Sequence, residues 1–179
     1  MLPSDLVRAR RGHFAFPSGF HGDLWLELDA MFAAPRDVVP LAAELAARLP
    51  PAGVVCGPMT GGALLAQLVA LERGAELVWS ELPRYEIPAP FAERLSGRQV
   101  AVVDDAINAG SAVDATIAAL RAGGAEVVAL GALMRLGGGY SPDVPFAYLE
   151  DVASGLWPAD RCPLCARGVP VDEQSARPA

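Results

Sequence analysis

Along the chain, short unbroken apolar runs alternate with segments of helical spacing. Residues 53–56 (GVVC), 75–82 (AELVWSEL), 99–105 (QVAVVDD) and 126–136 (EVVALGALMRL) carry the near-continuous apolar character of strands buried on both faces. Between them, residues 36–49 (RDVVPLAAELAARL) put Val39, Leu41, Leu45 and Leu49 near one helical face, and PPAG stops that helix. A second helix over ALLAQLVALERG closes at Gly74, and a third runs over AVDATIAALRAGGA. Ahead of these, residues 12–34 alternate in part and are rich in Phe and Trp, which predicts short strands in a preamble.

Strands alternating with helices predict an α/β fold with a largely parallel sheet. Ligands of such sheets sit beyond the carboxyl ends of the strands. Two small-residue turns fall there, 57–62 (GPMTGG) and 106–111 (AINAGS). The whole chain reads as one domain: a preamble over 1–34, an α/β core over 35–136, and a proline-rich tail over 137–179 expected to be irregular.

Composition narrows the chemistry. The net charge is −7, which disfavours a nucleic-acid partner. All 14 basic residues are arginine. The absence of lysine excludes Schiff-base chemistry on this chain and the lysine of a Walker A loop or a protein kinase. Ala63 and Leu64 also stand where a Walker A loop needs lysine and a hydroxyl residue. No run reaches membrane-span length and the start lacks the apolar segment of a signal peptide, so no membrane association and a cytoplasmic location are expected.

The second turn carries the strongest signal. Asp104 and Asp105 end a strand, Ala109 and Gly110 leave backbone N–H groups bare, and Ser111 suits the N-cap of the following helix. Such a turn cradles an anion at the helix's positive end, while adjacent carboxylates accept hydrogen bonds from vicinal hydroxyls. A sugar phosphate meets both demands; a solvated turn with incidental acids is the plain alternative. Two like charges at the end of a buried strand are costly, and an open crevice is expected to keep them solvated. The first turn has the same placement, so two anion-friendly turns on one sheet point to a ligand with two phosphate groups.

VVDDAINAGSA resembles the signature of type I phosphoribosyltransferases, which bind phosphoribosyl pyrophosphate, and its Ile-x-Ala-Gly-Ser-Ala form is particularly similar to orotate phosphoribosyltransferases. GHFAFPSGFHGDLWLELDAMF resembles that group's N-terminal segment, and VVCGPMTGGALLA its pyrophosphate loop. The match runs in order through about residues 12–136. It implies a parallel-sheet phosphoribosyltransferase fold with a small N-terminal hood, working as a homodimer with Mg²⁺ held mainly by the substrate. The implied reaction joins a nitrogenous base, orotate first, to phosphoribosyl pyrophosphate in pyrimidine biosynthesis. By the resemblance Asp104 and Asp105 hold the ribose hydroxyls. Asn108, Ala109, Gly110, Ser111 and Ala112 bind the 5-phosphate, and Met59, Thr60, Gly61 and Gly62 the pyrophosphate. His21 matches a basic ligand-contacting position, and Arg135 suits an acidic base.

Departures from the group keep other readings open. The loop before the DD strand, ELPRYEIPAPFAERLSGR, lacks the group's lysines and histidine, leaving Arg84 as the cation of its first half. Met59-Thr60 replaces an aromatic-basic pair, and Asn108 a threonine. A non-catalytic or regulatory nucleotide-binding protein of the same fold, or an enzyme for another base, are the alternatives. Cys162-Pro-Leu-Cys165 has the spacing of half a zinc site, but with no second cysteine pair a complete site needs two chains or other ligands; otherwise it is a tight turn with reduced thiols. His13 reads as a hydrogen-bonded hood residue, and Trp25 as a packing anchor or a wall facing the base.

Overall fold

The computed structural model describes residues 1–16 and 18–172. The hood opens with an antiparallel hairpin, β1 (Ala9–Ala15) and β2 (Phe20–Leu26), in which Phe14 faces Gly22 and Ala15 faces His21. The core follows as α1 (Pro35–Arg48), β3 (Val54–Pro58), α2 (Gly61–Arg73), β4 (Glu76–Ser80), a short α3 (Ala89–Ala92), β5 (Gln99–Ile107), α4 (Ser111–Ala122) and β6 (Glu126–Leu136). Beyond it lie β7 (Phe146–Val152), β8 (Leu156–Pro158) and a one-turn α5 (Pro163–Ala166).

The main sheet has the order β4-β3-β5-β6-β7, with every neighbouring pair parallel. Alternation along the strands splits its core in two. Val55, Ala101 and Val103 face α1 and α2, packing with Leu41, Leu45, Leu65 and Val69. Val54, Cys56, Val100 and Val102 face the other way, against Val113, Ile117 and Leu120 of α4. Leu45 is fully buried, so its truncation to alanine removes about 2–5 kcal/mol of stability.

Three expectations are corrected. Val39 is exposed and Val38 takes its place on the buried face of α1. Gly110, not Ser111, is the N-cap of α4, with Ser111 as its first helical residue. The tail is not irregular through its described part: β7 adds an edge strand to the main sheet, and β8 pairs with β2 to complete a three-stranded hood sheet. Residues 173–179 of that tail lie outside the described residues.

The order of the strands places the site. From β3 the chain moves outward to β4, then returns to lay β5 on the other side of β3. That reversal leaves a crevice beyond the carboxyl ends of β3 and β5, where both small-residue turns lie.

Candidate active site

The two turns interlock. An ideal Cβ on Gly61 would stand 1.9 Å from Oδ2 of Asp105, and one on Gly62 would stand 2.7 Å from Oδ1 of Asp104 and 2.6 Å from Cδ of Pro58. The backbone of the first turn therefore rests directly on the acids of the second. Only residues without a side chain permit this approach. Met59, 40% exposed, and exposed Thr60 precede the glycines, joined by a cis peptide, and the Met59 N–H donates to the Ser80 carbonyl at 3.0 Å.

Adjacent strand positions face opposite ways, so the two carboxylates do different things. Asp104 lines the cavity at its floor. Asp105 is only 7% exposed, beneath Gly61, and its Oδ1 accepts from the Ala106 N–H at 2.7 Å. Asp104 Oδ1 accepts from the Asp105 N–H at 3.0 Å. Burial pushes Asp105 up to about 6. Asp104 is raised well above the ordinary carboxylate range, first by burial and then by the charge of Asp105. The expectation of two solvated acids is thus corrected, because packing of the first turn shuts Asp105 away from water.

The cavity encloses about 630 Å³. Its floor is Asp104, Ala106 and residues 107–113, which brings Asn108, Ala109, Gly110, Ser111 and Ala112 onto one surface. The first bond of α4 runs from the Asp114 N–H to the Gly110 carbonyl at 2.8 Å. The N–H groups of Ser111 and Ala112 precede it, without helical acceptors and at the positive end of the helix. Oδ1 of Asn108 is buried without a protein partner. Gly110 has φ +82°, and a Cβ there would meet the Tyr140 ring at 2.0 Å. The Tyr140 hydroxyl donates to Asp114 Oδ1 at 2.5 Å, which fixes the ring over the turn.

The hood supplies the opposite wall. Phe16 and Trp25 stack with planes 9° apart and centroids at 5.9 Å, and both line the cavity together with Leu156 of β8. Tyr85 and Leu156 were not legible as site residues. Tyr85 projects from a turn closed by Glu81–Glu86 backbone bonds of 2.9 and 3.1 Å and has φ +57°. Burial, and secondarily Asp104, raise its hydroxyl pKa. An aromatic residue between Arg84 and Glu86 in a polar turn was the one available signal.

Three expected contact residues stand away from this wall. Arg84 is exposed at the tip of the same turn, 3.8 Å from Glu86. Arg135 pairs with Asp151 and lies over the Tyr148 ring at 4.3 Å. His21 turns toward His13 and Cys165. Among the described residues, no helix is long and apolar enough to cross a membrane.

No family model matches the chain. It is 30% identical over 171 residues to an orotate phosphoribosyltransferase of Caldanaerobacter subterraneus subsp. tengcongensis, covering 93% of this chain and 90% of the relative. The orotate phosphoribosyltransferase of Thermotoga maritima is 31% identical, with 93% and 91% covered. Among solved structures, the orotate phosphoribosyltransferase from Aeropyrum pernix has a TM-score of 0.63 at 19% identity, covering 83% of this chain and 89% of its own. Adenine phosphoribosyltransferase from Thermoanaerobacter pseudethanolicus has a TM-score of 0.65 at 18% identity, covering 82% and 96%. With two interlocked turns at the switch point of a parallel sheet and relatives of this identity along nearly its whole length, the chain belongs to the orotate phosphoribosyltransferase family of type I phosphoribosyltransferases and is a phosphoribosyltransferase.

Proposed function

We propose that the protein transfers the phosphoribosyl group of phosphoribosyl pyrophosphate to orotate, forming the bond from the base nitrogen to the anomeric carbon as the bond to pyrophosphate breaks. The observation carrying this reading is the contact of the glycine turn with Asp105 and with Asp104, the latter at the floor of a cavity with an aromatic far wall. In support, the first turn touches the acids that lead into the second, so a ligand bound on one turn has the other as its neighbour.

In this reading Asp104 accepts from the ribose hydroxyls, and Asp105 supports it from behind while holding the first turn in place. The bare N–H groups of residues 109–112 and the Asn108 amide bind the 5-phosphate. Thr60, Gly61 and Gly62 offer backbone N–H groups to the pyrophosphate beside Met59, whose own N–H is held by the Ser80 carbonyl, and Arg84, exposed at the tip of its turn, is the cation that swings toward it on binding. The base lies against Trp25 and Phe16, while Arg135, committed to Asp151 and the Tyr148 ring, stands outside this contact. Carboxylate near the anomeric carbon stabilises the oxocarbenium-like charge that develops there. Oxygen donors of this kind, together with those of the substrate, fit Mg²⁺, which when bound neutralises the leaving pyrophosphate. The form expected is a cytoplasmic homodimer, checked by light scattering on the purified protein.

A turnover panel of orotate, uracil and adenine, each with phosphoribosyl pyrophosphate and Mg²⁺, tests the reading. Turnover of orotate alone is expected; turnover of adenine or uracil alone overturns the choice of base. One observation favours a second reading, a non-catalytic binding protein: the segment before β5 presents a single exposed arginine in its first half where the resemblance implies lysines and a histidine. Calorimetric binding of phosphoribosyl pyrophosphate without turnover of any base would support it.

A further inference from the structure

Cys162 and Cys165 lack a second cysteine pair, and the fold brings two histidines to them from the opposite end of the chain. Ala15 is the register partner of His21, and His13 lies two residues back on β1, where the register shifts between Arg11 and Phe14, so that its ring meets that of His21. Nε2 of His13 is 2.9 Å from Nδ1 of His21. Sγ of Cys162 is 3.4 Å from Nε2 of His13, and Sγ of Cys165 is 3.6 Å from the same nitrogen and 3.3 Å from Nδ1 of His21. One donor atom from each of the four residues falls within 4.8 Å of the others.

The three nitrogen–sulfur separations, 3.3–3.6 Å, are those of a tetrahedron around a metal, and the His13–His21 pair at 2.9 Å has only to open slightly to join it. With Zn–N of about 2.0–2.1 Å and Zn–S of about 2.3 Å, a tetrahedral ion holds nitrogen and sulfur ligands roughly 3.5 Å apart. The tautomer of His13 agrees. Its Nδ1 lies 2.7 Å from the Val169 carbonyl, which can only accept, so Nδ1 carries the proton and Nε2 turns its lone pair into the cluster. A backbone carbonyl behind the second ring nitrogen is the usual support of a metal-bound histidine. His13 and Cys162 are 2% and 3% exposed, so the cluster is sealed on one side, while Cys165 is open to solvent.

We propose that His13, His21, Cys162 and Cys165 bind one Zn²⁺ per chain in a closed, structural site. On binding, each thiol releases a proton to solvent, and two thiolates and two neutral imidazoles surround the dication. Four protein donors leave no position for substrate or a reactive water. The ion instead ties the hood hairpin to the C-terminal segment. That tie bears on the cavity, because β8 pairs with β2, His21 faces Trp157, and Phe16, Trp25 and Leu156 of this hood form the cavity wall. Arg10 and Asp172 pair at 2.9 Å, a second link between the two ends of the chain. The closed loop spans most of the sequence, where a cross-link gains most over the unfolded chain.

The full chain, purified under reductant, is assayed for zinc by mass spectrometry, and metal-free protein is titrated with Co²⁺. Expected are one zinc per chain and, with Co²⁺, intense tetrahedral visible bands with thiolate charge transfer that Zn²⁺ abolishes. Cys165→Ser, at an exposed position, should halve the charge-transfer intensity and weaken zinc binding by more than the roughly 10–100-fold that losing an outer partner costs. Cys56→Ala, in the sheet core, should leave both unchanged. Reduced wild-type protein with no zinc and no charge-transfer band overturns the proposal. So does a Cys165→Ser protein with the wild-type band, or a Cys162–Cys165 disulfide that persists in reductant.

Discussion

Oδ2 of Asp105 occupies the space that the first side-chain carbon of any residue but glycine at position 61 would need, 1.9 Å from an ideal Cβ. Asp105 cannot yield cheaply, since it is buried and held by the Ala106 N–H. Gly61→Ala therefore shifts the carboxylate, the turn, or both. Misplacement of about 1 Å costs on the order of 100-fold in rate. Steady-state kinetics should show kcat/KM for phosphoribosyl pyrophosphate falling by about that factor. The fold, which rests on the cores either side of the sheet, should survive by circular dichroism.

Burial makes Asp105 a cost to the native state once it ionises. Its pKa is raised from 3.8 to about 6, so the folded protein retains a proton that the unfolded chain has lost over that interval. Stability is full below about 3.8 and is lost as pH rises through about 6. The cost reaches at most about 3 kcal/mol. Asp105→Asn keeps an acceptor for Ala106 but no charge, so Tm should rise by about 2–4 °C per kcal/mol recovered at neutral pH. It should be unchanged in acid, and turnover should fall. Calorimetry across the pH range checks the sign, and an unchanged neutral-pH Tm would refute it.

Gly110 meets two separate constraints, φ +82° and the Tyr140 ring 2.0 Å from its missing Cβ. Gly110→Ala should lose most 5-phosphate affinity and several degrees of Tm. The left-handed backbone accounts for about 1–2 kcal/mol of that loss. Adding Tyr140→Ala removes the collision but not the backbone strain. The double variant should recover part of the Tm lost by Gly110→Ala, a non-additivity that a thermal double-mutant cycle measures directly.

How much of this was legible in sequence follows from the range of the forces involved. Residues 126–136 were readable as a strand to the residue because β6 is buried on both faces, so its pattern owes nothing to partners. The run of small residues after Asp105 was readable for a similar reason, since turn and helix start are local. β7 was not readable: every residue of it but one is only half-buried at a sheet edge, and nothing in its alternation distinguishes it from loop. Nor did Gly61 and Asp105 declare their contact, which depends on two strands lying side by side. His13 read as a hydrogen-bonded hood residue and His21 as a ligand contact, because their cysteine neighbours lie some 150 positions away. Packing at a distance, not local propensity, made those assignments.

Arg84 tests whether a lysine-free turn can serve the chemistry. It is exposed, and its distance of 3.8 Å from Glu86 marks a loose surface pair worth about 0–1 kcal/mol, so removing it should leave Tm unchanged. A charge-assisted hydrogen bond to a phosphate oxygen is worth more, about 1.5–3 kcal/mol. Arg84→Gln should therefore lower kcat/KM for phosphoribosyl pyrophosphate by about 10–100-fold, while Arg84→Lys recovers part of the loss as a point charge without the bidentate fork. If Arg84→Gln instead turned over at the wild-type rate, the turn would have no part in binding pyrophosphate. The leaving group would then be met by Mg²⁺ alone or by an arginine of a second chain, and mixing Asp104→Asn subunits with subunits altered in each remaining exposed arginine would distinguish the two, since only a second-chain arginine gives restored activity.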